Sequence, residues 1–256
     1  MTEYHGEGTI NFTQSRGKKY ILFPALERNL NEVSNRKLTL LDVGCGRGEI
    51  AAIASSKGYE YLGLDDSADM LTIARQLHPM NNFIKGDAKD LSKIFHRQFD
   101  VIIASMLFLS MDKFDKIVSI LTECKKVLKQ KGTVLVGITH PCFDNYMQKF
   151  LFNRHDTETN YSGYFSSGAT AKTIFTIDSE QFTFTDFHWT FTDYLSAAHS
   201  SGMYIANIDE CKLNLADVTA ADKNWAGFRV KFPSYLILIL KKHKRGSIKI
   251  AHDHKS

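Results

Sequence analysis

The sequence predicts an α/β fold of the doubly wound class, and three observations predict it. From Leu38 onward, strand-length apolar runs alternate with helix-like segments. Three glycines spaced G-x-G-x-G stand where the first run ends. No internal repeat and no Pro- or Ser-rich linker divides the 256 residues, a length that suits one large domain or two small ones. Strict alternation of this kind implies parallel strands joined by right-handed helical crossovers.

The elements follow in order. LTLLDV is the first strand and stops at the glycines; residues 50–57 then have helical spacing. YEYLGLD is the second strand, and residues 68–77 read as a helix capped by Ser67. NNFIKGD and FDVIIAS are the third and fourth strands. A long amphipathic helix is expected over 112–128, ending in a KQKG turn, before the fifth strand GTVLVGI. Residues 141–187 break the rhythm, with eleven of the chain's thirty aromatics and the small-residue stretch SSGATA. This segment reads as an aromatic-rich insertion after the fifth strand. Residues 190–201 suit a helix, and 203–213 and 233–241 suit the last two strands.

Composition narrows the function classes. No run approaches the roughly 18–20 apolar residues of a membrane span. The first residues, MTEYHGEG, lack the basic and apolar regions of a signal peptide, so a cytoplasmic location is expected. Cys45, Cys124, Cys142 and Cys211 are far apart and form no C-x-x-C pair, which argues against a zinc knuckle or a disulfide framework. The net charge is +4, but residues 241–256 carry +5, leaving a body near −1. Such a body is a poor nucleic-acid surface. The tail from residue 242 is expected to be a solvated, disordered end.

The sharpest motif is Leu41-Asp42-Val43-Gly44-Cys45-Gly46-Arg47-Gly48. Glycines there let the backbone turn and let a ligand approach closely. A dinucleotide loop would read G-x-G-x-x-G. Here the third glycine comes one residue early, and Glu49 and Asp42 would repel a pyrophosphate. A cationic ligand carrying a sulfonium and an ammonium fits better.

On this motif and the elements after it, the chain closely resembles the class I S-adenosylmethionine-dependent methyltransferases, from about Leu38 to Ile138. The resemblance implies a Rossmann-like, seven-stranded, mostly parallel sheet in a single domain over 1–241. It implies S-adenosylmethionine as cofactor, with the loop at Asp42, Gly44, Cys45, Gly46 and Gly48 around its methionine part. Asp65 would bind both ribose hydroxyls, with Asp66 adjacent and Met70 against the adenine. Gly86, Asp87 and Ala88 would lie near the adenine amino group, and Ser105 and Met106 would face cofactor and substrate. Each carboxylate also has a plainer reading as a turn residue, and Met70 as core. The segment 1–37 would cover the cofactor, with Tyr20 near its methionine carboxylate and Arg16 a second candidate; a helix packed on the sheet is the alternative.

The acceptor is expected to be a small molecule, methylated on oxygen or nitrogen. His140, directly after the fifth strand, and His188, opening the returning helix, are the candidate bases. A surface loop histidine and a helix-start residue beside Trp189 are their plainer readings. Residues 141–187 would form a substrate cap. No metal cluster is evident. An RNA methyltransferase is disfavoured by the near-neutral body and by the absence of N/D-P-P-Y/F after the fourth strand; a non-catalytic binding protein is a third reading. A monomer or homodimer is expected.

Overall fold

A computed structural model of the chain describes residues 16–30, 37–143, 157–159, 161–177 and 180–243. A π-helical turn, Lys18–Leu22, runs into α1 (Phe23–Asn29), and the sheet begins with β1 (Leu38–Val43). Then follow α2 (Ala51–Ser56), β2 (Tyr59–Asp65), α3 (Ala68–Leu77), β3 (Asn82–Lys85), α4 (Leu91–Ile94), β4 (Phe99–Ser105), α5 (Phe114–Val127) and β5 (Leu128–Thr139). After the short β6 (Thr157–Thr159) come β7 (Thr170–Ile177), β8 (Glu180–Phe187), α6 (Phe191–Ser200), β9 (Met203–Glu210), α7 (Lys223–Arg229) and β10 (Tyr235–Lys242).

Seven strands form the main sheet in the order β3-β2-β1-β4-β5-β10-β9. Within it β1 to β5 pair in parallel, and β10 runs antiparallel to both neighbours. The chain builds outward from β1 to β3 and then returns to the other side of β1 for β4. That reversal opens a crevice at the carboxyl ends of β1 and β4, where doubly wound folds bind ligands.

The apolar strands are explained by burial on both faces. Leu41, Val43, Ile102, Ala104, Val134 and Val136 pack on one side with Ile117, Ile120 and Leu121 of α5. Leu40, Ile103, Leu135 and Ile237 pack on the other with Ile21, Leu22, Ala25 and Leu26. The N-terminal segment is therefore part of the second core layer as well as a neighbour of the site.

Several boundaries differ from expectation. KQKG falls inside β5 as an irregular, out-of-register stretch between Leu128, which pairs with Phe99, and Thr133, which pairs with Val101. Strand β9 stops at Glu210, and residues 214–229 form two 3₁₀ turns and α7, which the pattern did not announce. Lys242 belongs to β10 rather than to the tail, and its ammonium meets the Leu128 carbonyl; residues 244–256 lie outside the described residues. In the insertion, β6, β7 and β8 form a separate antiparallel sheet, with Thr170 opposite Phe187 and Ile177 opposite Glu180. Tyr146, Phe150 and Phe152 lie outside the described residues.

Candidate functional site

The glycine loop leaves β1 with three residues in the left-handed region: Gly44 at φ 71°, Gly46 at 53° and Gly48 at 78°. A Cβ at Gly44 would stand 2.8 Å from Leu107 Cδ1, the movable end of that side chain, so the left-handed conformation is what requires glycine there. Among the described residues nothing lies within 4 Å of the corresponding point at Gly46, so the loop's middle faces open space there. Gly44 and Cys45 donate their backbone N–H to the Leu64 carbonyl at 2.8 and 3.0 Å, which pins the loop to the end of β2.

Asp65 holds the loop's other side. Its Oδ2 accepts from Gly46 N at 2.7 Å and its Oδ1 from Ser67 N at 2.9 Å. Each carboxylate oxygen has capacity for a further donor. Ser67 caps α3 by accepting from Met70 N at 3.3 Å, and Met70 is buried behind it. The Asp65 carbonyl accepts from Gly86 N at 2.9 Å, joining the β2 and β3 ends. Asp87 then caps its own turn, accepting from Lys89 N at 2.8 Å and pairing with Lys89 Nζ at 3.0 Å. Its carboxyl is held below the usual range by these contacts, against a desolvation that opposes them. Asp66 and Asp87 are exposed, and Gly86 and Ala88 are half-buried between them and the core.

Asp42 sits differently. It is 1% exposed and accepts from the Tyr61 hydroxyl at 2.8 Å. Burial pushes its pKa up to about 7, with Asp65 and Glu49 adding repulsion and Tyr61 lowering it. Burial likewise raises Asp65. Glu49 meets Lys18 Nζ at 3.4 Å. Three carboxylates around one glycine loop suit a cationic ligand and repel a pyrophosphate.

Past β4, Met106 takes a left-handed φ of 61°, rare for a residue with a Cβ, and donates its N–H to the Gly137 carbonyl at 2.7 Å. Ser105 stands half-buried beside it. The β4 and β5 ends are thus tied as the β2 and β3 ends are.

Both candidate histidines are buried, His140 at 2% and His188 at 3% exposure, so neither is a surface residue. His140 Nδ1 accepts from Cys142 N at 3.2 Å, which places the proton on Nε2, 3.3 Å from Glu210 Oε1. Its ring lies 4.7 Å from Phe143 and 5.5 Å from Phe191. His188 is arranged the other way. Its Nε2 donates to the Tyr164 carbonyl at 2.8 Å, which leaves Nδ1 with the lone pair, and among the described residues no donor meets it. The Tyr161 and Tyr164 rings flank it at 4.7 and 5.9 Å. Burial lowers both histidine pKa values below the ordinary 6.5. Trp189 Nε1 donates to the Met111 carbonyl at 3.1 Å, which holds the His188 segment against the loop after β4. A capping box of Thr190 and Asp193 starts α6 immediately afterwards.

Tyr20 is buried, and its hydroxyl donates to Asp222 Oδ2 at 2.8 Å. Arg16 pairs with Asp222 Oδ1 at 2.7 Å. Sequence reasoning named Tyr20 and Arg16 but not Asp222, Tyr61 or Lys18. Tyr61 is an apolar-run residue by pattern, and Asp222 is 202 positions from Tyr20, so no local signal marks either. Among the described residues no group of three or more His, Cys, Asp and Glu has the geometry to hold a metal, and no helix is long and apolar enough to cross a membrane.

Residues 41–136 match a family described as a methyltransferase domain. A demethylmenaquinone methyltransferase of Thermotoga maritima is 36% identical over 107 residues, 41% of this chain and 44% of that protein. A ubiquinone biosynthesis O-methyltransferase of Aliivibrio fischeri is 25% identical over 124 residues, 46% of this chain and 50% of that protein. The matched stretch thus spans about half the length of these relatives or less. In fold the chain is similar to the CcbJ methyltransferase of Streptomyces caelestis, with a TM-score of 0.65, 13% identity and 94% of each chain covered.

Proposed function

We propose that this chain, which carries a class I S-adenosylmethionine-dependent methyltransferase domain, transfers the cofactor's methyl group to an oxygen or nitrogen atom of a small-molecule acceptor. The carrying observation is the half-open glycine loop, with Gly46 facing free space and its amide fixed by Asp65. The residues fit the cofactor: a backbone cradle for its amino-acid end, carboxylates for its positive charge, and Asp65 with spare acceptor capacity toward a ribose.

When bound, the cofactor supplies an already activated methyl group, so the protein's task is alignment and proton removal. Asp65 and Asp66 would take the ribose side, Met70, Asp87 and Ala88 the adenine, and Asp42 with Glu49 the ammonium side. Ser105 and the strained Met106 would border the methyl. Of the two histidines, we place proton removal on His188, because among the described residues no donor meets its Nδ1 lone pair. The acceptor O–H or N–H proton would pass to that nitrogen as the acceptor's electron pair forms its bond to the methyl carbon and the methyl–sulfur bond breaks, its pair returning to sulfur as S-adenosylhomocysteine leaves. His140, with its lone pair taken by Cys142 N, would hold the β5 end in place.

The names of the relatives make aromatic precursors of quinones the first acceptors to assay, and the aromatic flank of His188 suits a flat ring. Calorimetry should detect S-adenosylmethionine and S-adenosylhomocysteine binding, and labelled methyl should then pass to members of a panel of phenols, quinols and amines. Absence of cofactor binding, or binding of NAD in its place, would end the reading.

A further inference from the structure

We infer that Asp222 is a positioning residue for the cofactor, a latch that ties the 214–229 connector to the N-terminal helix and so holds Lys18 against the glycine loop. The inference rests on the cofactor site proposed above. Asp222 gathers three donors from two distant segments. Its Oδ1 pairs with Arg16 Nε at 2.7 Å, and its Oδ2 accepts from Tyr20 Oη at 2.8 Å and Thr219 Oγ1 at 3.0 Å. The Tyr20 ring packs on Trp225 at 6.0 Å, and Arg229 lies over Trp225 at 4.5 Å, so α7 follows the latch.

The same helical turn carries the link to the loop. Lys18 sits between Arg16 and Tyr20, and its Nζ is 3.4 Å from Glu49, the residue after Gly48. Gly17 lacks the Cβ that would collide with the Tyr235 ring, so the turn also lies directly against the start of β10. A rigid turn fixed at Asp222 and Tyr235 leaves Lys18 little freedom to leave Glu49. Held at Glu49, the Lys18 ammonium stands beside the loop to meet the carboxylate of the cofactor's amino-acid end, and Glu49 is kept in place for that end's ammonium. The latch therefore acts on the amino-acid end of the cofactor and not on the nucleoside.

That difference gives the test. In the full-length chain, Asp222→Ala should weaken S-adenosylhomocysteine about 10-fold by calorimetry, one charge-assisted contact's worth. Binding of 5′-methylthioadenosine, which lacks the amino-acid end, should be unchanged. Asp222→Asn, which keeps an acceptor for Tyr20 and loses only the charge, should give a smaller loss of the same kind. Tyr20→Phe should weaken S-adenosylhomocysteine in the parent and have little further effect in Asp222→Ala. Equal weakening of both ligands, or of neither, overturns the latch. An undiminished effect of Tyr20→Phe in Asp222→Ala overturns it too, since Tyr20 would then touch the cofactor directly. Failure of the parent chain to bind S-adenosylhomocysteine overturns the cofactor reading itself, and the latch with it.

Discussion

At the ends of β1, β2 and β3 the site is made mostly of backbone. Left-handed glycines, a carbonyl shared by Gly44 and Cys45, and carboxylates capping their own turns define it. At the ends of β4 and β5 and in the segment before α6 it is made of buried side chains: two histidines in opposite proton arrangements, set among aromatic rings. The first region has the means to hold a ligand common to a whole family, because backbone geometry survives changes of side chain. The second has the means to choose an acceptor, because each ring and lone pair there depends on which residue is present.

The largest effect should separate the regions by chemistry. His188→Gln should lower turnover by roughly 10²–10⁴-fold, the usual worth of general acid–base catalysis, with cofactor affinity unchanged. His140→Gln should cost less than about tenfold, since a bonded lone pair takes no proton. Reversal of that order in steady-state kinetics would move the base to His140. Because burial lowers the His188 pKa, the rate should be flat above pH 7 and fall as pH drops through a value below 6.5.

The next probe is pH dependence in the backbone region. The Asp42 pKa rises on folding from 3.8 to about 7. Between those values the folded chain keeps a proton that the unfolded chain has released. Its contribution to stability is therefore fullest at low pH and is lost as pH rises through about 7, on the order of 4 kcal/mol over the window. Asp42→Asn should flatten that slope in urea midpoints measured from pH 4 to 8. Identical slopes in parent and variant would mean that Asp42 is not the group responsible. In the parent, affinity for the cationic cofactor should strengthen across the same range, as the carboxylate becomes available to it.

A third substitution tests whether the N-terminal helix is a separable cover. Leu22 is fully buried in the second core layer, beside Leu135 and Ile237. Leu22→Ala should therefore cost about 2–5 kcal/mol in global stability, as for other buried leucines. Removal of residues 1–34 should destabilise the sheet itself instead of leaving an intact core. A truncated chain with the parent's thermal midpoint would restore the picture of a detachable lid.

A smaller effect than these is expected of Asp65→Ala, which should weaken cofactor binding by about 1.5–3 kcal/mol through loss of a charged acceptor. The same change frees Gly46 N from Oδ2, so the glycine loop should exchange its amide protons faster. Retained affinity in calorimetry would remove Asp65 from the ribose.

The sheet, the glycine loop and the carboxylates beside it were legible in the sequence. Burial on both faces forces each parallel strand to be an unbroken apolar run, and left-handed turns require glycine, so LTLLDV and the three glycines after it announce themselves. Asp42, Gly46 and Asp65 meet within 24 positions because adjacent parallel strands bring their ends together. Only the tertiary structure decided the rest. The proton arrangement of His140 and His188 depends on Cys142, Glu210 and Tyr164, and the Tyr20 hydroxyl is taken by a residue 202 positions away. KQKG became an irregular stretch within β5 because Phe99 pairs with Leu128 before it and Val101 with Thr133 after it. Local sequence carries a residue's own conformational preference, whereas a lone pair or a strand edge takes its role from whichever distant partner packing sets beside it.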